Sequence, residues 1–97
     1  MRIYLKKFGS TLVSRQAGKE AFAAFQPVLN TAPANEDLEI DFSGVITFSP
    51  SWGDEFLTPL ERQFMTKLSL ININDNPSVI ESLKIIEQIT HIHFQTK

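Results

Sequence analysis

The order of apolar patterns along these 97 residues predicts an α/β fold, a small mixed, mostly parallel sheet with helices packed on it. Three observations carry that reading. Residues 2–8 and 38–46 alternate apolar and polar, the period of a strand with one buried face. Each such stretch is followed by apolar residues at helical spacing. Residues 68–73 are apolar on both faces, as in the middle of a parallel sheet. The order β-α-β-α-β-α then implies right-handed crossovers.

In the first strand Ile3 and Leu5 share one face and Tyr4 and Lys6 the other. Gly9-Ser10 reads as a turn, and Leu12-Val13 as a short second strand or the approach to a helix. Ser14 has the side chain of an N-cap. Ala17, Ala21, Phe22, Ala24, Phe25, Val28 and Leu29 follow on one helical face, with Gly18 and Pro27 weakening its two ends. Residues 30–35, with Pro33, form the loop. The strand over 38–46 carries Gly44 as a bulge or close-approach point. Ser51 and Asp54 are spaced as a capping box, and Trp52, Phe56, Leu60 and Phe64 recur every four residues. Pro59 inside that run, with Thr58-Pro59-Leu60-Glu61 as a second capping box, predicts a kinked or two-part helix. Asn74-Asp75-Asn76-Pro77 ends the third strand and caps a last helix that buries Val79, Ile80, Leu83, Ile86 and Ile89. Residues 91–94 alternate as a short final strand.

One domain is expected over residues 1–97, since domains run roughly 50–250 residues. The chain is 42% hydrophobic with eight Phe, enough for a core without staples, and it has no cysteine. Disulfides, a thiolate nucleophile and Cys-based metal sites are therefore excluded. The opening residues lack a long apolar stretch, so no signal peptide is expected, and no segment reaches the roughly 18 apolar residues of a membrane helix. A soluble cytoplasmic domain is the expectation. Between residues 20 and 61 there are eight acidic side chains and no Lys or Arg. Nucleic acid would need a basic stripe there, so that block is a solvated acidic face or one that meets a basic partner.

The turn 49–56 gathers the chemistry. Strand-to-helix turns of α/β sheets are where ligands and partners dock, and this one holds Ser49, Ser51, Trp52, Asp54 and Glu55, the candidate partner-binding residues. Ser51 is expected to cap the helix. As a phosphosite it would add a charge of about −1.5 to −2 at the helix start, favoured by the dipole and opposed by Asp54 and Glu55. Trp52 is expected as a partly buried anchor, or, if exposed, as an interface hot spot. Asp54 and Glu55 suit a first helical turn; as an acid/base pair they lack a nucleophile, a His or a basic residue nearby in sequence. Arg15 would open the first helix at the surface. His91 and His93 would share a strand face at a spacing metals use, but no third ligand is near, so they read as surface histidines. No glycine-rich phosphate loop or Ser-His-Asp set occurs.

Asp41-Phe42-Ser43-Gly44-Val45, the apolar run after it and the serine-containing turn before a helix resemble the STAS fold of anti-sigma factor antagonists. The closer resemblance is to a STAS-like domain family of unknown function, through Asp41, Gly44, Val45 and Ser51-Trp52-Gly53-Asp54-Glu55. Phe8-Gly9, Leu12-Val13-Ser14-Arg15 and Gly18 are similar to that family's opening. The resemblance implies a small regulatory binding domain, often found with histidine-kinase-like ATPase domains. STAS antagonists carry an Asp-Ser-Ser-Gly turn phosphorylated on its second serine, the place Ser51 takes by order; Ser49, Pro50 and Trp52 stand at the other three. It also makes Arg15 a candidate for an ion pair with Asp41 or Glu55, or for an anion site. The leading expectation is a non-enzymatic STAS-like interaction domain acting in signalling on a protein partner, with no cofactor, metal, nucleic acid or membrane. The alternative is a small ligand-binding domain or minor enzyme using Arg15, Asp54 and Glu55. A third reading is a structural homodimer.

Overall fold

Parallel pairing organises the molecule, whose computed structural model describes residues 1–33 and 35–97. Strands β1 (Arg2–Tyr4), β3 (Leu38–Asp41) and β5 (Leu68–Ile71) form one parallel sheet with β3 in the centre. A second parallel pair joins β2 (Thr11–Leu12) to β4 (Thr47–Phe48). Helices α1 (Arg15–Leu29), α2 (Pro50–Phe64) and α3 (Pro77–Thr90) connect and cover them, and α2 packs against both others. The α/β class, with its small and mostly parallel sheets, is as the pattern predicts. No helix among the described residues is long and apolar enough to cross a membrane.

The strand expected over 2–8 stops at Tyr4 and tightens into a 3-10 turn, Leu5–Phe8. A three-residue period puts Leu5 and Phe8 on one side, so the same apolar residues reach the core by a shorter path. The strand expected over 38–46 is two strands in two sheets. Asp41 Oδ1 accepts from the Ser43 amide at 2.8 Å, and Val45 N donates to Phe42 O at 3.1 Å. Gly44 takes φ 83 in this turn, a conformation that a side chain resists.

Strand β5 is buried at all four positions yet lies beside β3 rather than in the middle. Its outer edge is covered by the chain's last residues: Leu70 N donates to Gln95 O at 2.8 Å and Lys97 N to Leu70 O at 2.9 Å. That bridge falls at Thr96, so the strand expected over 91–94 does not form; His91 instead ends α3 at φ 61.

Ser14 caps α1 as expected, accepting from Ala17 N at 3.0 Å. The buried face of α1 is Gly18, Ala21, Phe25 and Leu29, while Ala17, Ala24 and Val28 are exposed. After α1, Thr31 and Ala32 turn back on Val28 and Leu29; Ala34, in the expected loop, lies outside the described residues. Helix α2 runs through Pro59 as a single helix rather than two parts. Asn76 caps α3 with Pro77 at its first position. Val79, Leu83 and Ile86 are buried as expected, but Ile89 is 70% exposed. One hydrophobic cluster extends from Ile3 to Phe94. Its aromatic spine is Phe42, Phe48, Trp52, Phe56 and Phe25, ring centroids 5.0 to 6.0 Å apart from each to the next.

Candidate functional site

The N-terminal end of α2 collects nearly all the candidate residues, because β4 delivers the chain there directly. Ser49, not Ser51, is the N-cap: its Oγ accepts from Trp52 N at 3.3 Å and donates to Val13 O at 2.7 Å. Pro50 at the first helical position explains the shift, since its fixed φ and absent N–H suit that place and make the preceding residue the cap. Ser51 therefore lies inside the first turn, half-buried, its hydroxyl without a hydrogen bond among the described residues. The expected Ser51–Asp54 capping box does not form.

Asp54 points elsewhere. Its Oδ1 accepts from the buried Thr58 hydroxyl at 2.7 Å and its Oδ2 from Arg15 at 3.3 Å. Arg15 also donates to Glu55 Oε1 at 2.9 Å. Its hydrogen bonds to Glu55 and Asp54 raise the guanidinium pKa further still. Arg15 thus joins the starts of α1 and α2 across the surface. The close approach that allows it is made by Gly18, one turn further along α1. A Cβ at Gly18 would lie 2.6 Å from Trp52 O and 3.2 Å from Glu55 Cβ. The sequence marks Gly18 as a weak point of its helix, yet it is the point where two helices touch.

Trp52 is 1% exposed and stacks on Phe56 with centroids 5.0 Å apart. Its indole is core, so the partner-binding role set for Trp52 is corrected: a buried ring packed among Phe8, Phe48 and Phe56 cannot meet a partner in this fold. Asp41 likewise takes no part in the cluster. It is buried, and Arg15 pairs with Glu55 and Asp54 instead of with it. Desolvation pushes the Asp41 carboxyl up, but the hydrogen bonds from Asn72 at 3.0 Å and Ser43 outweigh it and leave the pKa lowered. Asp41 is a clamp for the turn at Ser43-Gly44.

Two residues that sequence reasoning passed over belong to this end. Ile46 is 69% exposed and Val13 44% exposed, beside the Ser49 cap and the β2–β4 pair. Alternation gives no signal for Ile46, since period 2 would place it on the same face as the buried Phe48. The principal cavities formed by the described residues have none of Arg15, Asp54 or Glu55 in their walls. This end carries two exposed aliphatic side chains, a hydroxyl without a hydrogen bond among the described residues and a three-residue ion-pair cluster. His93 Nδ1 lies 3.3 Å from Glu87, and no group of three or more His, Asp or Glu side chains among the described residues is placed to hold a metal. Compared with protein-family models, curated proteins and solved structures, the chain shows no significant match.

Proposed function

We propose that this chain is a non-enzymatic, STAS-like regulatory domain that binds a protein partner in signalling through the turn 49–56 and its rim. The exposed pair Val13 and Ile46 beside that turn is the observation that carries the reading. Exposed apolar side chains with polar ones near them in the fold are what an interface core and rim look like before the partner arrives. Ser49, Ser51, Asp54 and Glu55, all half-buried at the start of α2, supply the polar side chains. Ser51 supplies the switch. A phosphate on its unbonded hydroxyl would stand at a helix start, favoured by the dipole and set against Asp54 and Glu55, changing the rim's charge where the partner sits. A histidine-kinase-like ATPase is the partner class that fits this chemistry.

The test is affinity capture from cell lysate followed by titration of the purified partner against wild type, Ile46→Glu and Ser51→Glu. A signalling protein or ATPase held by wild type and released by either folded variant is the expected result. Equal capture by all three would remove the rim from the function.

A further inference from the structure

The outer edges of the strands are not closed alike. Helix α3 closes β4: the Ser78 hydroxyl accepts from Phe48 N at 3.0 Å and donates to Phe48 O at 2.9 Å, and the Ser82 hydroxyl donates to the same oxygen at 2.8 Å. Residues 95–97 close β5. Strand β2 has no such cover. Its Ser10 O and Leu12 O accept from Thr47 N at 3.1 Å and Ser49 N at 3.0 Å across the pair with β4. A parallel ladder engages alternate residues of a strand. The Thr11 N–H and C=O therefore face away from β4, and neither bonds another backbone group among the described residues. The chain stays extended from there to Ser14, at φ −95 and ψ 144.

Between β2 and α1 lies a groove of about 340 Å³, lined by Thr11 and Leu12 on one side and by Ala17, Ala21 and Ala24 on the other. Where α3 presents serines to β4, α1 presents methyl groups to β2, two of them on exposed residues. Glu20 is the one charged side chain in the lining. It accepts from Gln16 at 3.0 Å and has no cationic partner among the described residues. Lys7 lies over the Phe8 and Phe25 rings, outside the lining. We propose that an extended segment of a partner protein adds to β2 in this groove, carrying one apolar side chain and a Lys or Arg beside it. An open strand edge specifies an extended chain, whose N–H and C=O groups match those of Thr11. Alternate side chains of that segment point one way, which lays the apolar one on the alanines. Glu20 selects a cation through a charge-assisted bond. The site stands whether or not the turn 49–56 meets a partner of its own.

The probe is a synthetic peptide taken from selection of phage-displayed random linear peptides on the purified protein. Enriched peptides should pair an apolar residue with a neighbouring Lys or Arg. Methylating the peptide's backbone amides one at a time should weaken binding by about tenfold or more at alternate positions and leave the positions between unchanged, the signature of strand pairing. Glu20→Gln should weaken the peptide by about tenfold and leave its citrulline-substituted form unchanged. Ala24→Phe, at an exposed position, should fill the groove and abolish binding. Should that variant not fold, hydrogen exchange on wild type makes the same distinction: the Thr11 amide slows when peptide binds, while that of Leu12, already bonded to β4, does not change. No enriched peptide, enrichment of acidic peptides, methylation tolerated without alternation, affinity indifferent to Glu20→Gln or to a folded Ala24→Phe, or an unprotected Thr11 amide would each overturn the proposal.

Discussion

The two ends of α2 solve the same problem in opposite ways. At the N-terminal end each polar group but the Ser51 hydroxyl has found a partner: Ser49 makes two hydrogen bonds, Asp54 two, and Arg15 reaches both acids. At the C-terminal end Glu61 Oε2 is bare, and the chain leaves the helix through a left-handed Met65. Helix starts are readily satisfied by a hydroxyl and a proline, whereas an end without Gly has no low-strain exit. The satisfied end offers its surface with its polar groups already paired; the other end has an unmet bonding capacity and a cleft beside it.

The contrast can be broken most severely from underneath. Trp52→Ala should remove about 3–5 kcal/mol and lower the melting temperature by more than about 12 °C, seen in a thermal scan. A small change would return Trp52 to the surface role it loses here. Gly18→Ala comes next. Alanine favours a helix by about 1 kcal/mol, but its Cβ would stand 2.6 Å from a backbone oxygen that cannot rotate away. A net loss of about 1–3 kcal/mol in urea unfolding is expected, with a weaker Arg15–Glu55 contact. A stabilised variant would mean that the helices are not held at this approach.

Capping sharpens the picture of the satisfied end. Ser49→Ala should lose about 0.5–2 kcal/mol, while Ser51→Ala should stay within about 0.5 kcal/mol of wild type. The reverse ranking in denaturant melts would restore Ser51 as the cap. At the other end Met65→Gly should gain about 1 kcal/mol, the relief of left-handed strain less the entropy that glycine loses on folding. No gain would show that Met65 packs better than its exposure suggests.

The smallest effect is in pH. Burial raises the Glu61 pKa, so its favourable contribution is present below the ordinary carboxylate value and is lost as pH rises through the folded one. Asp41, lowered, runs the other way: its contribution is present above the unfolded value and is lost as pH falls through the folded one. Unfolding of wild type and Glu61→Gln at about pH 4 and about pH 7 separates the two. The variant should gain on wild type as pH rises. A constant difference would mean that Glu61 is not desolvated.

Composition and periodicity determined the α/β class, the three helices, two of their three caps and most of the core. Local rules suffice there, since Ser14 and Asn76 cap through bonds to residues two or three positions away, and the four-residue spacing of Trp52, Phe56 and Leu60 defines a buried face by itself. The Ser49 cap is also written locally, in Pro50, but the capping-box spacing of Ser51 and Asp54 points two residues too far along the chain. What the tertiary structure alone decided are the contacts between distant residues. Gly18 is a weakness or a meeting point depending on whether Trp52 O lies against it. Arg15 finds Glu55, forty residues away, only once that approach exists. The split of 38–46 between two sheets depends on β2 and β5 being present to pair. The buried, unpartnered Oε2 of Glu61 among the described residues has no counterpart in the local pattern of α2. Helical period and capping act within a few residues and so can be read along a chain; burial without a partner is a property of the space several segments enclose together.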